Sequence, residues 1–131
     1  MSGFGEMRKC KMKLALFKDN RIEPIEVKDE LQEYYDLIGC NCIEIVKRRI
    51  GDTYFDIICD EEGLLKDNPR VSAVDTEGCP MFVGNLIFSH ISDEGETAAV
   101  TDEEIELIRE NTGIAFTEDG RIVGMVVELD Y

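Results

Sequence analysis

Apolar and polar residues alternate along this chain with two periods, one typical of strands and one typical of helices. Strand-like alternation or a short apolar run occurs at residues 12–17, 22–27, 43–50, 54–59, 81–89, 114–116 and 122–129. Helical spacing occurs at residues 29–39 and 101–113. Since strands and helices do not alternate regularly, the pattern predicts an α+β domain. We expect two helices and a mainly antiparallel mixed sheet of about six to eight strands.

Capping signals predict where the two helices begin. Asp29 and Gln32 have the spacing of a capping box for the first helix, which we expect to end at Gly39. Thr101 and Glu104 have the same spacing at the start of the second helix. Both helices are therefore predicted to begin at a side chain that bonds the first free backbone N–H groups.

Glycines predict the turns and the irregular positions. Gly51 and Gly120 each stand beside an aspartate between two strand patterns, which indicates tight hairpins. Gly113 is predicted to end the second helix. The run at residues 81–89 is almost continuously apolar and is predicted to be one central strand, with Gly84 marking a bulge or a close backbone approach.

Composition indicates one domain with a core of its own. The chain has 131 residues, of which 44% are hydrophobic. We assign residues 1–10 to a flexible N-terminal arm and residues 11–131 to a single domain. No stretch approaches the roughly 20 apolar residues of a membrane span, so we expect a cytoplasmic protein without a membrane partner.

The cysteines carry no recognisable metal or redox framework. There are five, an odd number that argues against a secreted disulfide scaffold. Cys59 and Cys79 lie beside apolar runs and are expected to be buried. Cys40 and Cys42 form C-x-C rather than the C-x-x-C spacing of zinc or redox sites. The sequence therefore predicts no metal and no cofactor.

Charge is distributed unevenly along the chain. The net charge is −15, and the residues from 71 onward hold 14 acidic and two basic side chains, a net charge of −12. Such a surface repels a phosphate backbone, so we expect no direct nucleic-acid binding by the acidic face. It attracts basic partners, including the DNA channel of a nuclease. The alternative is that acidity only aids solubility.

The second helix concentrates this negative charge. At helical spacing, four carboxylates form one stripe that could imitate a DNA backbone or contact another protein: Asp102, Glu103, Glu106 and Glu110. We take these four residues as candidate partner-binding residues. The alternative is an ordinary solvated helix face.

A second candidate site is an anion pocket around Arg70. A guanidinium suits bidentate recognition of phosphate, and Asn68, Asn85 and His90 could supply further polar contacts to a small nucleotide ligand. The alternative for Arg70 is a structural ion pair with a nearby acid. The phosphate-binding motifs G-x-x-x-x-G-K-[ST] and G-x-G-x-x-G do not occur in the sequence.

Catalytic chemistry has little basis in the sequence. The carboxylates of Asp60, Glu61 and Glu62 adjoin one another at a turn, where side chains usually diverge into water rather than converge on a cation. Cys59 and His90 could form a nucleophilic pair only if the thiol were activated, and Cys59 follows two isoleucines. We therefore predict no catalytic residues and a protein that is not an enzyme.

Several segments together resemble a known family, domain-of-unknown-function family 3846. They occur in order at residues 22–24 (IEP), 29–32 (DELQ), 38–46 (IGCNCIEIV), 58–65 (ICDEEGLL), 68–70 (NPR), 83–88 (VGNLIF) and 100–105 (VTDEEI). The resemblance covers roughly residues 12–110 and leaves 114–131 as a C-terminal hairpin extension. Pro69, between Asn68 and Arg70, departs from the family pattern.

The resemblance implies a role in mobile genetic elements. Members of this family occur in bacteriophages, plasmids and other mobile elements of gut and soil bacteria, sometimes beside antirestriction domains. Our leading hypothesis is a non-enzymatic accessory protein that inhibits a host defence protein through its acidic surface. The first alternative is a small-molecule binder that sequesters a nucleotide-type immune signal, and the second is an uncharacterised enzyme. The sequence leaves a homo-oligomer open.

Overall fold

The computed structural model describes residues 11–65 and 70–131, which form ten strands and two helices. The strands are β1 (Met12–Lys18), β2 (Arg21–Val27), β3 (Ile43–Ile50), β4 (Thr53–Asp60), β5 (Val71–Val74), β6 (Pro80–Val83), β7 (Leu86–Ile91), β8 (Thr97–Ala98), β9 (Thr112–Phe116) and β10 (Ile122–Glu128). The helices are α1 (Leu31–Ile38) and α2 (Asp102–Glu110). The α+β class and the two helices are confirmed, and the strands exceed the expected six to eight. The predicted arm, residues 1–10, lies outside the described residues.

The strands form two sheets rather than one. The first sheet has the order β2-β1-β7-β4-β3, is antiparallel throughout, and includes the short β8 paired with β7. The second sheet has the order β6-β5-β10-β9, in which β5 and β10 are parallel and the other pairs are antiparallel. The predicted mainly antiparallel pairing is therefore confirmed, with one parallel pair.

Two apolar clusters cover the two faces of the first sheet. The larger cluster joins one face to the second sheet and α2, and its members include Phe17, Phe55, Phe88, Ile105 and Val127. The smaller cluster joins the opposite face to α1, and its members include Leu14, Ile58, Ile87, Tyr34 and Ile38. The alternation of Phe55 and Ile58 within β4 places them in different clusters, as the period of two requires.

The predicted central strand at 81–89 is wrong, because the chain changes sheets within it. Residues 80–83 form β6 in the second sheet, and residues 86–91 form β7 in the first. Gly84 lies between them with φ 75°, a left-handed conformation that glycine adopts without strain. One continuous apolar run thus contributes strands to two sheets. For this reason the sequence pattern did not predict β6 as a separate strand or the change in chain direction at Gly84.

The predicted capping box of the first helix is also wrong. The helix begins after Glu30, which makes no side-chain cap bond. Asp29 has φ 63° and its carboxylate accepts a 2.6 Å hydrogen bond from the Tyr34 hydroxyl instead. Glu33 accepts a bond from the backbone N–H of Lys28 at 2.7 Å. The helix ends at Gly39 in the left-handed conformation, as predicted.

The second helix begins as predicted and ends earlier. Thr101 and Glu104 form a complete capping box. The helix is closed by Asn111 rather than by Gly113, which belongs to β9. Asn111 alone separates α2 from β9, so the helix leads directly into the edge strand of the second sheet.

The C-terminal hairpin completes the second sheet. β9 and β10 pair as predicted, and β10 lies between β9 and β5. Val127 and Leu129 are buried in the larger cluster. Beyond β10, Asp130 exchanges backbone bonds of 2.8 and 2.9 Å with Arg49 of the first sheet. The hairpin is therefore part of the core and ties the two sheets together.

Of the two cysteines expected to be buried, the structure buries one. Cys59 is buried in the larger cluster. Cys79 is exposed, in the turn between β5 and β6, so that prediction is wrong. The prediction relied on the neighbouring apolar run, but this run begins only after Cys79, and the cysteine itself lies in the turn.

Candidate functional site: the acidic face of α2

The acidic face of α2 is fixed by the buried side of the same helix. Ile105 and Ile108 are buried in the larger apolar cluster and orient the helix. The four candidate carboxylates lie at other positions of the helix, and all are exposed: Asp102, Glu103, Glu106 and Glu110. We call this set the α2 stripe. Helical spacing alone predicted its exposure correctly.

Two members of the α2 stripe have basic neighbours. Asp102 forms an ion pair with Lys13 of β1. Glu106 pairs with Arg109 at 2.6 Å, and the Arg109 guanidinium also donates to a carbonyl oxygen of β2 at 3.0 and 3.2 Å. Within the described part of the chain, Glu103 makes no ion pair. The stripe is therefore negative overall, with its charge partly balanced at two positions.

Glu104, an acid of α2 outside the stripe, makes a contact that the sequence did not predict. Glu104 accepts the capping bond from the Thr101 N–H through Oε1, and its Oε2 lies 2.8 Å from His90 Nε2. The His90 ring stacks on Phe55, with centroids 5.4 Å apart and an interplanar angle of 17°. Glu104 thus fastens the start of α2 to β7 of the first sheet.

Arg70 is held within a polar contact between the two sheets. Its Nη2 donates to Asn20 Oδ1 in the turn between β1 and β2. The same oxygen accepts the backbone N–H of Met125 in β10 at 3.0 Å. The guanidinium also lies against Gly124, where an added Cβ would stand 2.5 Å from Nη2. Asn20 therefore connects Arg70 and β10 to the first sheet.

The other candidate ligand-binding residues have separate partners. Asn85 donates from Nδ2 to the carbonyl oxygen of Leu37, near the end of α1, at 2.9 Å. His90 contacts Glu104, as described above. Asn68 lies outside the described residues. The three described side chains are thus engaged with three different parts of the protein, rather than converging on one pocket.

The environment of Cys59 keeps its thiol protonated. Burial, and to a lesser extent the nearby carboxylate of Glu44, raises the pKa of this thiol to about 12. Its Sγ lies 3.6 Å from the carbonyl oxygen of Glu44. A nucleophilic cysteine needs a lowered pKa, so this thiol is not activated for attack.

The acidic turn and the C-x-C pair adjoin one groove of about 520 Å³ at the end of α1. Cys40, Cys42, Asp60 and Glu62 are among its lining residues. The Asp60 carboxylate accepts the Glu62 backbone N–H at 2.9 Å, as in an ordinary turn. In residues 11–65 and 70–131, no group of three or more histidine, cysteine, aspartate or glutamate side chains is arranged to hold a metal ion.

The basic residues of β3 are occupied by contacts within the protein. Lys47 pairs with Asp56 at 3.1 Å, and Arg49 pairs with Asp130 at 2.8 Å. The Arg48 guanidinium lies over the ring of Tyr131, 4.7 Å from its centroid. These bases therefore make contacts within the fold.

None of the helices in the described residues is both long and apolar enough to cross a membrane. The fold and the site together define an α+β domain of two packed sheets that presents an acidic helix. The family described as Domain of unknown function (DUF3846) matches residues 12–113, and the chain belongs to this family. The predicted resemblance is thereby confirmed. Searches of curated proteins and of solved structures returned no match.

The family match ends where the C-terminal hairpin begins. It stops at residue 113, close to the boundary expected from the sequence. The chain beyond this point supplies β10, which lies inside the second sheet. The segment beyond the family match is therefore structurally central.

Proposed function

We propose that this protein is a non-enzymatic accessory protein of a phage or other mobile element that inhibits a host defence protein. In this proposal, the α2 stripe occupies a basic surface of the target, such as a channel that binds nucleic acid. The observation that carries the proposal is the exposure of all four carboxylates on a helix whose other side is anchored in the core. Residues one turn apart on such a helix are about 5–6 Å apart at Cβ, a fixed spacing that a basic surface can match.

The ion pairs of the α2 stripe are compatible with this role. The Asp102 and Glu106 side chains are 84% and 59% exposed, so water screens their attraction to Lys13 and Arg109. Pairs of this kind contribute about 1 kcal/mol or less. A partner arginine that forms a bidentate contact can replace such a pair at little cost.

The two alternative functions have weaker support. A binder of nucleotide-type signals needs Arg70, Asn85 and His90 to face one ligand, and each contacts a different part of the protein. An enzyme needs an activated group, and the raised pKa of Cys59 removes the thiol that the sequence offered. The proposal therefore rests on the acidic surface.

The test is a phage plating assay in a bacterium that carries a restriction nuclease. We expect expression of the protein to raise plating efficiency at least tenfold. The double variant Glu103→Lys and Glu106→Lys should abolish this protection. The matched control is Glu26→Lys with Glu61→Lys, which changes the net charge equally at exposed positions outside α2.

Two results would count against the proposal. One is equal protection by the α2 double variant and by the unaltered protein, provided that both accumulate as folded protein. The other is loss of protection in the control variant as well, which would mean that total charge rather than the α2 stripe matters.

A further inference from the structure

The outer edge of β9 is open. This strand pairs with β10 on one side only. Backbone bonds towards β10 are made at Asn111 and Thr117, which flank β9, with N–O distances of 2.8 Å. Because inward and outward bonds alternate along an antiparallel strand, the backbone groups of Thr112, Ile114 and Phe116 point away from β10. Across residues 11–65 and 70–131, no backbone group bonds to that outer edge.

The outer edges of β2, β3 and β6 are protected. β2 contains Pro24, and the Arg109 guanidinium covers one of its carbonyl oxygens. β3 is bridged to Asp130 through the backbone of Arg49. β6 begins with Pro80. β9 has neither a proline nor a charged residue, the features that usually prevent another strand from adding to an edge.

A groove of about 470 Å³ runs along this edge, and all five residues of β9 are among its lining residues. Its lining includes the small or apolar residues Val74, Gly113, Ala115 and Val126 and the carboxylates Glu110 and Glu128. A Cβ placed on Gly113 would meet no atom within 4 Å, so the groove is open at this point. The groove therefore has an apolar floor and acidic walls.

The opposite face of the same edge is apolar and exposed. Ile114 and Phe116 are 57% and 61% exposed. Ile122, the strand partner of Phe116 in β10, is 69% exposed. These side chains share one face of the hairpin and are available for apolar contact with an added strand.

We propose that β9 binds an extended, basic segment of a protein partner as an additional strand of the second sheet. Backbone bonds to Ile114 and Phe116 hold the segment. Its alternate side chains then face the two sides of the sheet. Those on one side are apolar and cover the exposed pair, and those on the other side are lysine or arginine.

The groove suits the basic side chains of such a segment. Their aliphatic stems pack over Gly113 and Ala115, and their charged ends reach Glu110 and Glu128. A second copy of this chain is a poorer occupant, because each copy carries a net charge of −15. The inference rests on the proposed function only in that the partner is basic.

The test uses a capped synthetic peptide of about seven residues, the length of a typical strand, with alternating lysine and valine. Hydrogen exchange of individual backbone amides is followed by NMR on the full chain. At saturating peptide we expect exchange at Ile114 and Phe116 to slow at least tenfold, an increase of about 1.4 kcal/mol in local protection. A matched peptide of alternating glutamate and valine should produce no change.

Two variants distinguish the contribution of the β9 backbone edge to peptide binding from that of the groove. Ile114→Pro removes one outward N–H while leaving the inward bonds to β10 intact, so it should abolish peptide binding. Gly113→Val fills the open space in the groove and suits a strand, so it should weaken binding while the protein remains folded. Thermal unfolding confirms that each variant is folded.

Three outcomes would overturn the inference: unchanged amide exchange with the lysine peptide, equal binding of the glutamate peptide, or amides already protected in a dimer of the free protein. The double variant Glu103→Lys and Glu106→Lys should still bind the peptide. Peptide binding without any effect of that variant on plating would contradict the proposed function alone. Loss of plating protection in that variant, together with no peptide binding by the unaltered protein, would contradict the β9 assignment alone.

Discussion

At the scale of single residues, polar side chains fix the relation between the two sheets. Asn20 has φ 68° and uses one oxygen to accept from both Arg70 and the Met125 backbone. Gly124 leaves room for the guanidinium and has φ 133°, a conformation that side chains rarely adopt. These three residues are far apart in sequence, so their contact becomes visible only in the folded chain.

Replacing Gly124 with alanine should therefore destabilise the protein. We expect a loss of about 1–3 kcal/mol in the free energy of unfolding, measured in urea, from backbone strain and displacement of Arg70. Gly113→Ala is the matched control, since it adds the same methyl group in open space. A control that costs as much as Gly124→Ala would show that the close contact is not responsible.

The raised pKa of Cys59 predicts a decline in stability at alkaline pH. The pKa of a thiol is about 9 in an unfolded chain and about 12 for Cys59 in the folded one. Between these values the unfolded chain loses its proton first, so stability is intact below pH 9 and falls as the pH rises towards 12. Thermal unfolding from neutral to alkaline pH should show a steeper decline than in Cys59→Ala.

Comparing the decline in stability with pH between the unaltered protein and Cys59→Ala separates the contribution of the thiol from that of other groups. Tyr34 also has a raised pKa, because it is buried and donates to Asp29, and it adds its own alkaline decline to both proteins. Parallel pH profiles for the two proteins would contradict the assignment to Cys59.

At the scale of elements, local patterns predicted those whose residues are close in sequence. The hairpins at Gly51 and Gly120, the end of α1 and the start of α2 depend on short-range geometry. The parallel pairing of β5 with β10, and the division of residues 81–89 between two sheets, depend on strands that are distant in sequence. An apolar run shows that a strand is buried, but not which sheet it joins.

The same limit applies to the site. Helical spacing predicted that the α2 stripe is exposed, because Ile105 and Ile108 mark the opposite side. It could not predict the Asp102–Lys13 pair, whose members are 89 positions apart. Nor could it predict the Glu104–His90 contact, since the capping box already accounted for Glu104.

The two helix starts predict different responses to mutation. Thr101→Ala should reduce the free energy of unfolding by about 1 kcal/mol, because the Glu104 N–H loses its side-chain acceptor. Glu30→Ala should have little effect, because Glu30 makes no cap bond. Equal losses in urea unfolding of the two variants would contradict this difference between α1 and α2.

At the scale of the whole molecule, the chain separates its charges. Basic residues of β3 are engaged with Asp56, Asp130 and Tyr131, whereas the C-terminal half carries an excess of acids at its surface. Composition predicted the excess, and the fold places part of it on α2 beside the open edge of β9. Acidic groups near an open strand edge suit a basic protein partner better than a nucleic acid.

Native mass spectrometry of the protein captured gently from host cells is the sharpest test of inhibition through the α2 stripe. We expect a stoichiometric protein companion that is lost from the Glu103→Lys, Glu106→Lys variant and retained by the Glu26→Lys, Glu61→Lys control. A companion retained by both variants would contradict the role of the α2 stripe. A small bound molecule in place of a protein companion would contradict the claim of protein inhibition.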